Sequence, residues 1–488
     1  MNKRRTMTRR AALRDTAAGA AALAFASRVT AQERSPQPNI VFFLADDLGY
    51  ADLACYGGRD IATPNIDRIA AEGMKFVQAY ANSPVCSASR TALITGRYQY
   101  RLPVGLEEPI AGSSNVGLPP DHPTLPSVLR TAGYGTTLLG KWHLGSLPKY
   151  GPLASGYDRF FGFRGGSLDY YTHTGGAHEP DLWDGDTPIE KVGYLTELIG
   201  DRAVEAVHAY AKAERPFFLD VHFNAPHWPW EAPGDQAEAE RLRTAPLVHY
   251  DGGTLDTYRR MIEGMDLQVG RVLKALDQRG VANNTIVVFT SDNGGERFAD
   301  TWPFTGRKEE LLEGGLRIPA LVRWPARIRP GEVSEQVTVS MDWAPTLLAA
   351  AGTAPRADYP SDGVDLTPIL GGMVKPYPRI LCWRYKGNHQ RAVRDGDWKV
   401  LKILDNTFLF DVVADPMERA NLKGRRPEIY SRLIDEWDEW NKGMLPEVRE
   451  SFTQSNAGNE WADHIGATAT TSEPDLDPTW PSPRQPKK

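Results

Sequence analysis

The chain has 488 residues, of which 41% are hydrophobic and 24% charged. That composition excludes a fibrous or largely disordered chain, and the length suggests roughly two to four domains. Three cysteines (Cys55, Cys86, Cys382) exclude a disulfide framework, and no apolar run reaches the ~18 residues of a membrane span.

Residues 1–31 carry seven basic side chains against Asp15, a net charge of +6, so a total of −6 leaves −12 on the remainder. An acidic body argues against non-specific nucleic-acid binding. Within the leader, Arg9 and Arg10 precede an Ala-rich run, and Val29, Thr30 and Ala31 end it with small residues. This pattern predicts a secretory signal of the twin-arginine type over 1–31, hence the twin-arginine export machinery as a partner and a periplasmic or extracellular location.

Asn39–Ala45 is a short apolar run typical of a strand buried on both faces. Helices are predicted over Pro64–Phe76, Ser87–Thr95, Leu125–Thr131, Tyr194–Ala213 and Met261–Gln278, and strands over Thr136–Leu139, Pro216–Phe223 and Thr285–Thr290. Strands alternating with helices define an α/β domain, 38–375, built on a large, mostly parallel sheet. From 376 the grain changes to short strands at Ile380–Tyr385, Gln390–Arg394, Trp398–Lys402 and Phe408–Phe410. With a closing helix over Ile429–Trp440, they make a smaller antiparallel α+β domain, 376–445, followed by an extended tail, 446–488.

Ligands of open α/β sheets bind beyond the carboxyl ends of the strands. Four predicted strands end in polar clusters: Asp46 and Asp47, Lys141 and His143, His227, and Asp292 and Asn293. Asp46, Asp47, Asp292 and Asn293 offer only oxygen donors, which suit a hard cation, calcium first and magnesium second. Each acidic pair, taken alone, serves equally as a cap of the following turn. Cys86 falls at a helix N-terminus, where backbone N–H groups favour an anion.

Cys86, Ala88 and Arg90, followed by Thr91-Ala92-Leu93-Ile94-Thr95-Gly96-Arg97, resemble the signature of the type I sulfatases. The likeness spans roughly 38–445. It includes Asp46 to Tyr50, Gly140 to Gly145, Ala225 to His227, Ser291 to Gly294, and Gly306 to Lys308 with Glu313 to Pro319. It implies an alkaline-phosphatase-like fold and oxidation of Cys86 to Cα-formylglycine by a formylglycine-generating enzyme. An aldehyde hydrate offers one hydroxyl to attack sulfur and a second to expel sulfate, which a serine lacks. By the same resemblance Asp46, Asp47, Cys86, Asp292 and Asn293 bind the cation, Arg90 holds the formylglycine, and Lys141 and Lys308 bind sulfate oxygens. His143 promotes sulfate release and His227 protonates the leaving alcohol. Ser167 matches a hydroxyl near the sulfate in some members.

The resemblance leans toward the N-acetylgalactosamine-6-sulfatase branch, and so toward a carbohydrate sulfate ester. Aromatic residues Tyr170, Tyr171, Trp183, Trp228, Trp230 and Trp302 fall in or beside the site loops, where their faces suit sugar rings as well as core packing. His173 and His178 divide evenly between pocket lining and solvent. A phosphomonoesterase or phosphonate monoester hydrolase of the same superfold, and a non-catalytic binder of sulfated glycans with unmodified Cys86, stand as alternatives.

Overall fold

The structure, a computed structural model, describes residues 37–111, 115–145, 149–175, 178–243 and 252–454. The leader at 1–31 and the tail beyond 454 lie outside the described residues. The described residues from Pro38 onward form one compact unit. No helix among the described residues is long and apolar enough to cross a membrane.

Strands follow the chain as β1 (Asn39–Ala45), β2 (Met74–Phe76), β3 (Ala79–Tyr80), β4 (Gly135–Lys141), β5 (Arg159–Phe163), β6 (Trp183–Asp184), β7 (Thr187–Pro188), β8 (Phe217–His222), β9 (Thr285–Ser291), β10 (Ala320–Arg323), β11 (Glu332–Ser334), β12 (Thr338–Val339), β13 (Ile380–Tyr385), β14 (Gln390–Asp395), β15 (Trp398–Ile403) and β16 (Asn406–Asp411). The main sheet has the order β11-β2-β10-β9-β1-β8-β4-β5-β6-β7. Its centre, β9-β1-β8-β4-β5, is parallel throughout, whereas β10 runs antiparallel to both β9 and β2. The sheet is therefore mixed and mostly parallel.

Alternation along β1 feeds two cores. Val41 and Phe43 face one apolar cluster, which includes the inner faces of helices Leu195–Lys212 and Leu255–Gln278. Ile40, Phe42 and Leu44 face the other, with Leu125, Leu129, Trp343 and Leu347. Burial on both faces explains why β1 and β9 read as near-continuous apolar runs, and β8 as one broken by the buried Asp220.

Two helix boundaries differ from expectation. The helix at Pro64 ends at Ala71, and Met74–Phe76 joins the sheet as β2. A Cβ at Gly73 would lie 2.1 Å from the Val322 carbonyl oxygen, so glycine lets the chain pass tightly against β10 there. The helix expected from Met261 begins at Leu255, capped by Thr254, whose hydroxyl accepts from the Thr257 N–H at 3.0 Å.

The second sheet is the expected meander, β13-β14-β15-β16. One face packs on the helix Pro427–Lys442 through Val393, Val400, Leu409, Leu433 and Trp437. Its other face shares a core with Tyr80, Val85, Ala88 and Ala92, so it buttresses the segment that carries Cys86. Lys399, fully buried, bridges Glu313 and Glu418 at 2.9 Å each across this contact. Residues 451–454 are tied to the body: the Glu108 N–H donates to Phe452 O at 2.9 Å, and the Gln454 N–H to Glu108 O at 2.7 Å. Cys55 and Cys382 are free.

Candidate active site

Every motif expected at a strand end lies at the carboxyl edge of the parallel strands. Asp46 and Asp47 follow β1, Asp292 and Asn293 follow β9, Lys141 ends β4 with His143 two residues on, and His227 lies beyond β8. Cys86 opens the helix Cys86–Thr95, and Arg90 falls one turn later on the same face. Val85, extended at φ −139°, caps that helix without a side-chain bond, so its first N–H groups are free of a side-chain acceptor from the cap.

The charges are packed tightly and buried. Lys141 Nζ lies 2.6 Å from Asp46 Oδ2, and Lys308 Nζ 2.6 Å from Asp47 Oδ2. Arg90 reaches Asp292 Oδ2 through Nε at 3.0 Å and Nη2 at 2.8 Å. Burial opposes ionisation of Asp47, but Lys308, His227 and Lys141 outweigh it and hold the carboxyl well below its usual range. Burial likewise opposes the charge on Lys308, which Asp47 and Glu296 restore and strengthen. Glu296 itself is pushed up to about 8 by burial, Lys308 pulling the other way.

Burial, partly countered by Lys141 and Lys308, raises the Cys86 thiol. A protonated thiol is a poor nucleophile, so unmodified Cys86 lacks the character of an activated cysteine. His143 Nε2 faces the Ile110 carbonyl at 3.0 Å, and Nδ1 faces Cys86 Sγ at 3.3 Å. Since a carbonyl only accepts, Nε2 carries the proton and Nδ1 turns its lone pair toward residue 86. His227 is locked in the opposite sense: Nδ1 donates to Trp228 O at 2.6 Å and Nε2 faces Asp47 Oδ2 at 3.6 Å. Burial first, then neighbouring lysines, push both imidazoles well below their ordinary pKa.

Asp47 and His143 adopt left-handed backbones, with φ of 67° and 53°. Each such residue stores about 1–3 kcal/mol, repaid by the surrounding structure, as is common where a side chain must be aimed. Gly166 makes room for His143: a Cβ there would fall 2.7 Å from the imidazole Cε1.

The carboxylates Asp46 and Asp292 lie with Cys86, and Asp46 and Asp47 with His227, in two sets whose ligand atoms fall within 4.8 Å of one another. Asp46 Oδ1 and Asn293 Oδ1 are buried without a hydrogen-bond partner. Orphaned buried oxygens are costly, and oxygens from Asp46, Asp47, Asp292 and Asn293 make a donor set that fits a hard divalent cation.

A groove of 670 Å³ opens over this centre, lined among others by Cys86, His143, His227, Lys308, Ser167, Arg164, Trp183, Trp228 and Gln454. Ser167 is thus part of the groove wall. Of the six aromatics, Trp183 and Trp228 line the groove. Trp230 packs against Phe298 and Tyr258, Tyr170 stacks on Tyr194 and Tyr171 lies tilted against it. Trp302 is 63% exposed elsewhere. His173 is buried with Nε2 3.1 Å from Gly193 O, a structural role, and His178 is exposed. Sequence reasoning missed Arg164 and Asp181. The signal was available, because Arg164 directly follows β5, the fifth parallel strand.

The sulfatase family model matches residues 38–353, and that of the N-sulphoglucosamine sulphohydrolase C-terminal region matches 306–440. The chain is 32% identical over 474 residues to arylsulfatase J of Mus musculus, covering 84% of this chain and 77% of the relative. It is 35% identical over 390 residues to N-acetylgalactosamine-6-sulfatase of Canis lupus familiaris, covering 75% and 72%. Among solved structures, Ps i-CgsB in complex with k-i-k-neocarrahexaose superposes with a TM-score of 0.77 at 29% identity, covering 88% of this chain and 98% of that one. A buried cysteine at a helix start, ringed by oxygen donors, two lysines and two oppositely locked histidines at the edge of a mixed sheet, agrees with these matches: the chain belongs to the sulfatase family of the alkaline-phosphatase-like superfamily and is a sulfuric-ester hydrolase.

Proposed function

We propose that the protein is an exported sulfatase acting on carbohydrate sulfate esters, through Cα-formylglycine formed from Cys86 and a calcium ion. The observation that carries this reading is His143 Nδ1, 3.3 Å from Cys86 Sγ with its other nitrogen committed to a carbonyl. A base aimed at a buried, protonated thiol has little use; aimed at a hydroxyl on the same residue, it has a proton to take. The glycan ligand of the superposed Ps i-CgsB complex supports a carbohydrate substrate.

Asp46, Asp47, Asp292, Asn293 and residue 86 would hold the cation, whose chemistry is to polarise the sulfate and acidify a hydroxyl of residue 86. After conversion, residue 86 supplies a geminal diol, one hydroxyl for attack on sulfur and one for release of sulfate. Lys141 and Lys308 hold sulfate oxygens and offset charge developing in the transition state. Arg90, one helical turn from residue 86, orients its oxygens. In its imidazolium form, which Asp47 at 3.6 Å and the negative charge of a bound sulfate ester favour, His227 delivers a proton from Nε2 to the departing alcohol while its Nδ1–H stays anchored on Trp228 O. His143 Nδ1 takes the proton that accompanies sulfate release. Ser167 adds a hydroxyl to the groove wall.

A formylglycine-generating enzyme matures Cys86, and the paired arginines of the leader direct export through the twin-arginine machinery to the periplasm or beyond. The test is mass spectrometry of the Cys86 peptide together with sulfate release from a panel of sulfated monosaccharides. An aldehyde at residue 86 and turnover of at least one sugar sulfate support the reading. A fully active protein with an intact Cys86 thiol overturns it.

A further inference from the structure

Four of the five central parallel strands deliver residues to the sulfate-ester centre. The fifth, β5, ends at Phe163 and delivers Arg164. The Arg164 carbonyl accepts from the His143 N–H at 3.2 Å, so its backbone lies in register with the catalytic histidine. Arg164 lines the same groove as Cys86, His143, His227 and Lys308, yet nothing in the proposed chemistry uses it.

Its side chain is built in rather than loose. The guanidinium carbon lies over Trp183, 3.3 Å from the ring centroid, and the side chain is 11% exposed. Stacking on an indole fixes the plane of the guanidinium and leaves its edge for hydrogen bonding. Among the described residues, the one carboxylate within ion-pair reach is Asp181, and it is only 3.9 Å away at Nε. Asp181 is already engaged: it accepts from Trp183 Nε1 at 2.7 Å, the Gly165 N–H at 2.7 Å and the Arg164 N–H at 3.2 Å. Those bonds use the carboxylate to pin the loop and the indole beneath the guanidinium. Arg164 Nε is left buried with no hydrogen-bond partner. A desolvated, half-compensated cation with an idle donor, held rigid in a substrate groove, is an anion receptor.

The geometry points to Arg164, on its Trp183–Asp181 platform, as a subsite for a second anionic group of the substrate, a carboxylate or a further sulfate beside the ester that is cleaved. This rests on the groove being a sulfate-ester site, as proposed above. It narrows the substrate class to multiply charged glycans. Planar guanidinium recognition suits both carboxylate and sulfate oxygens, and one charge-assisted contact of this kind is worth about tenfold or more in affinity.

The test measures inhibition of 4-nitrophenyl sulfate turnover, on protein whose Cys86 conversion is confirmed. Three disaccharides serve as inhibitors: one with a single sulfate, one with two sulfates, and one with a sulfate and a uronate carboxylate. The wild-type enzyme should bind at least one doubly charged disaccharide about tenfold more tightly than the singly charged one, and the two arms tell carboxylate from sulfate. Arg164→Gln should abolish that preference. Equal inhibition by all three, or a preference that survives in Arg164→Gln, overturns the inference while leaving the sulfatase reading intact. Absence of turnover of both the aryl sulfate and the sugar sulfates by converted protein overturns the sulfatase mechanism and this subsite with it. Should Arg164→Gln lose its melting transition, the wild-type preference at low and high salt decides: it must shrink as salt rises, and a salt-independent preference refutes a charge-reading subsite.

Discussion

His143 Nδ1 lies 3.3 Å from Cys86 Sγ, while Nε2 of the same ring faces the Ile110 carbonyl at 3.0 Å. His227 shows the reverse arrangement, with Nδ1 against Trp228 O and Nε2 free to face Asp47. Two histidines in one site, each with a different nitrogen available, are suited to different proton transfers. His143→Ala should therefore lower kcat by about 10²–10⁴ and give a burst of alcohol with sulfate release lagging behind. His227→Ala should lose far more activity on sugar sulfates than on nitrophenyl sulfate, because a sugar alkoxide needs a proton and a nitrophenolate scarcely does. Quantifying both products over the first turnover checks both expectations; even losses across substrates with no burst would assign the histidines to packing alone.

Cys86→Ala and Cys86→Ser should each reduce turnover by at least about 10⁴, the usual scale for losing a covalent nucleophile. Both variants should retain the wild-type melting temperature to within a few degrees, since either side chain is small enough for a helix start. Cys55 is half-buried and Cys382, on β13, is buried between the meander and the helix Pro427–Lys442, both as free thiols. Alanine variants at those two positions should keep kcat/KM in whatever fraction stays folded. A Cys86→Ala enzyme running near the wild-type rate would end the formylglycine reading.

Removal of divalent ions should abolish activity, and calcium or magnesium should restore it. The orphaned oxygens Asp46 Oδ1 and Asn293 Oδ1 give this expectation a second readout, because a ligand that binds only the native state raises its stability. At a hundredfold excess over Kd the gain is about 2.7 kcal/mol, visible as a calcium-dependent rise in Tm that Asp292→Asn diminishes. Full activity in protein shown to be metal-free by elemental analysis would refute the assignment, and restoration by zinc alone would refute the oxygen-donor argument.

The catalytic edge was legible because parallel strands announce themselves twice, by a doubly buried apolar run and by the polar residues that must follow it. β1 and β9 carry both signals, β8 carries them around Asp220, β4 has Leu138 and Leu139 ahead of Lys141, and the residues after each lie at the centre. β5 carries the apolar run in Phe160, Phe161 and Phe163 but begins at the exposed Arg159 and is interrupted by Gly162. Its strand, and Arg164 beyond it, went unread. β2 was absorbed into a helix because Met74 and Phe76 fit the period of either element over so short a span. The orientation of the imidazoles was beyond any sequence pattern, since it depends on the carbonyls of Ile110 and Trp228. The shared core between the meander and the Cys86 segment is also non-local: Trp383 and Tyr80 are distant in sequence, yet their ring centroids lie 5.4 Å apart.

Glu108 sits beneath the groove wall, 1% exposed, with Oε2 accepting the Lys386 N–H at 2.9 Å. Burial, countered only in part by that bond and by the Lys386 charge, pushes its carboxyl up to about 8. The folded state thus holds this proton more tightly than the unfolded chain, whose Glu titrates near 4.5. Below that value both states are protonated and the group costs nothing. As pH rises from about 4.5 to about 8 the unfolded state gains the advantage of ionising in water, and native stability falls. Above the folded value both are ionised and the loss is constant, on the order of a few kcal/mol. Glu108→Gln keeps an acceptor for the Lys386 N–H but has no proton to lose. Its denaturant midpoint should match wild type near pH 4 and exceed it increasingly toward about pH 8. Parallel wild-type and variant curves across that range would show that Glu108 is ionised in the native protein, with Lys386 compensating it fully.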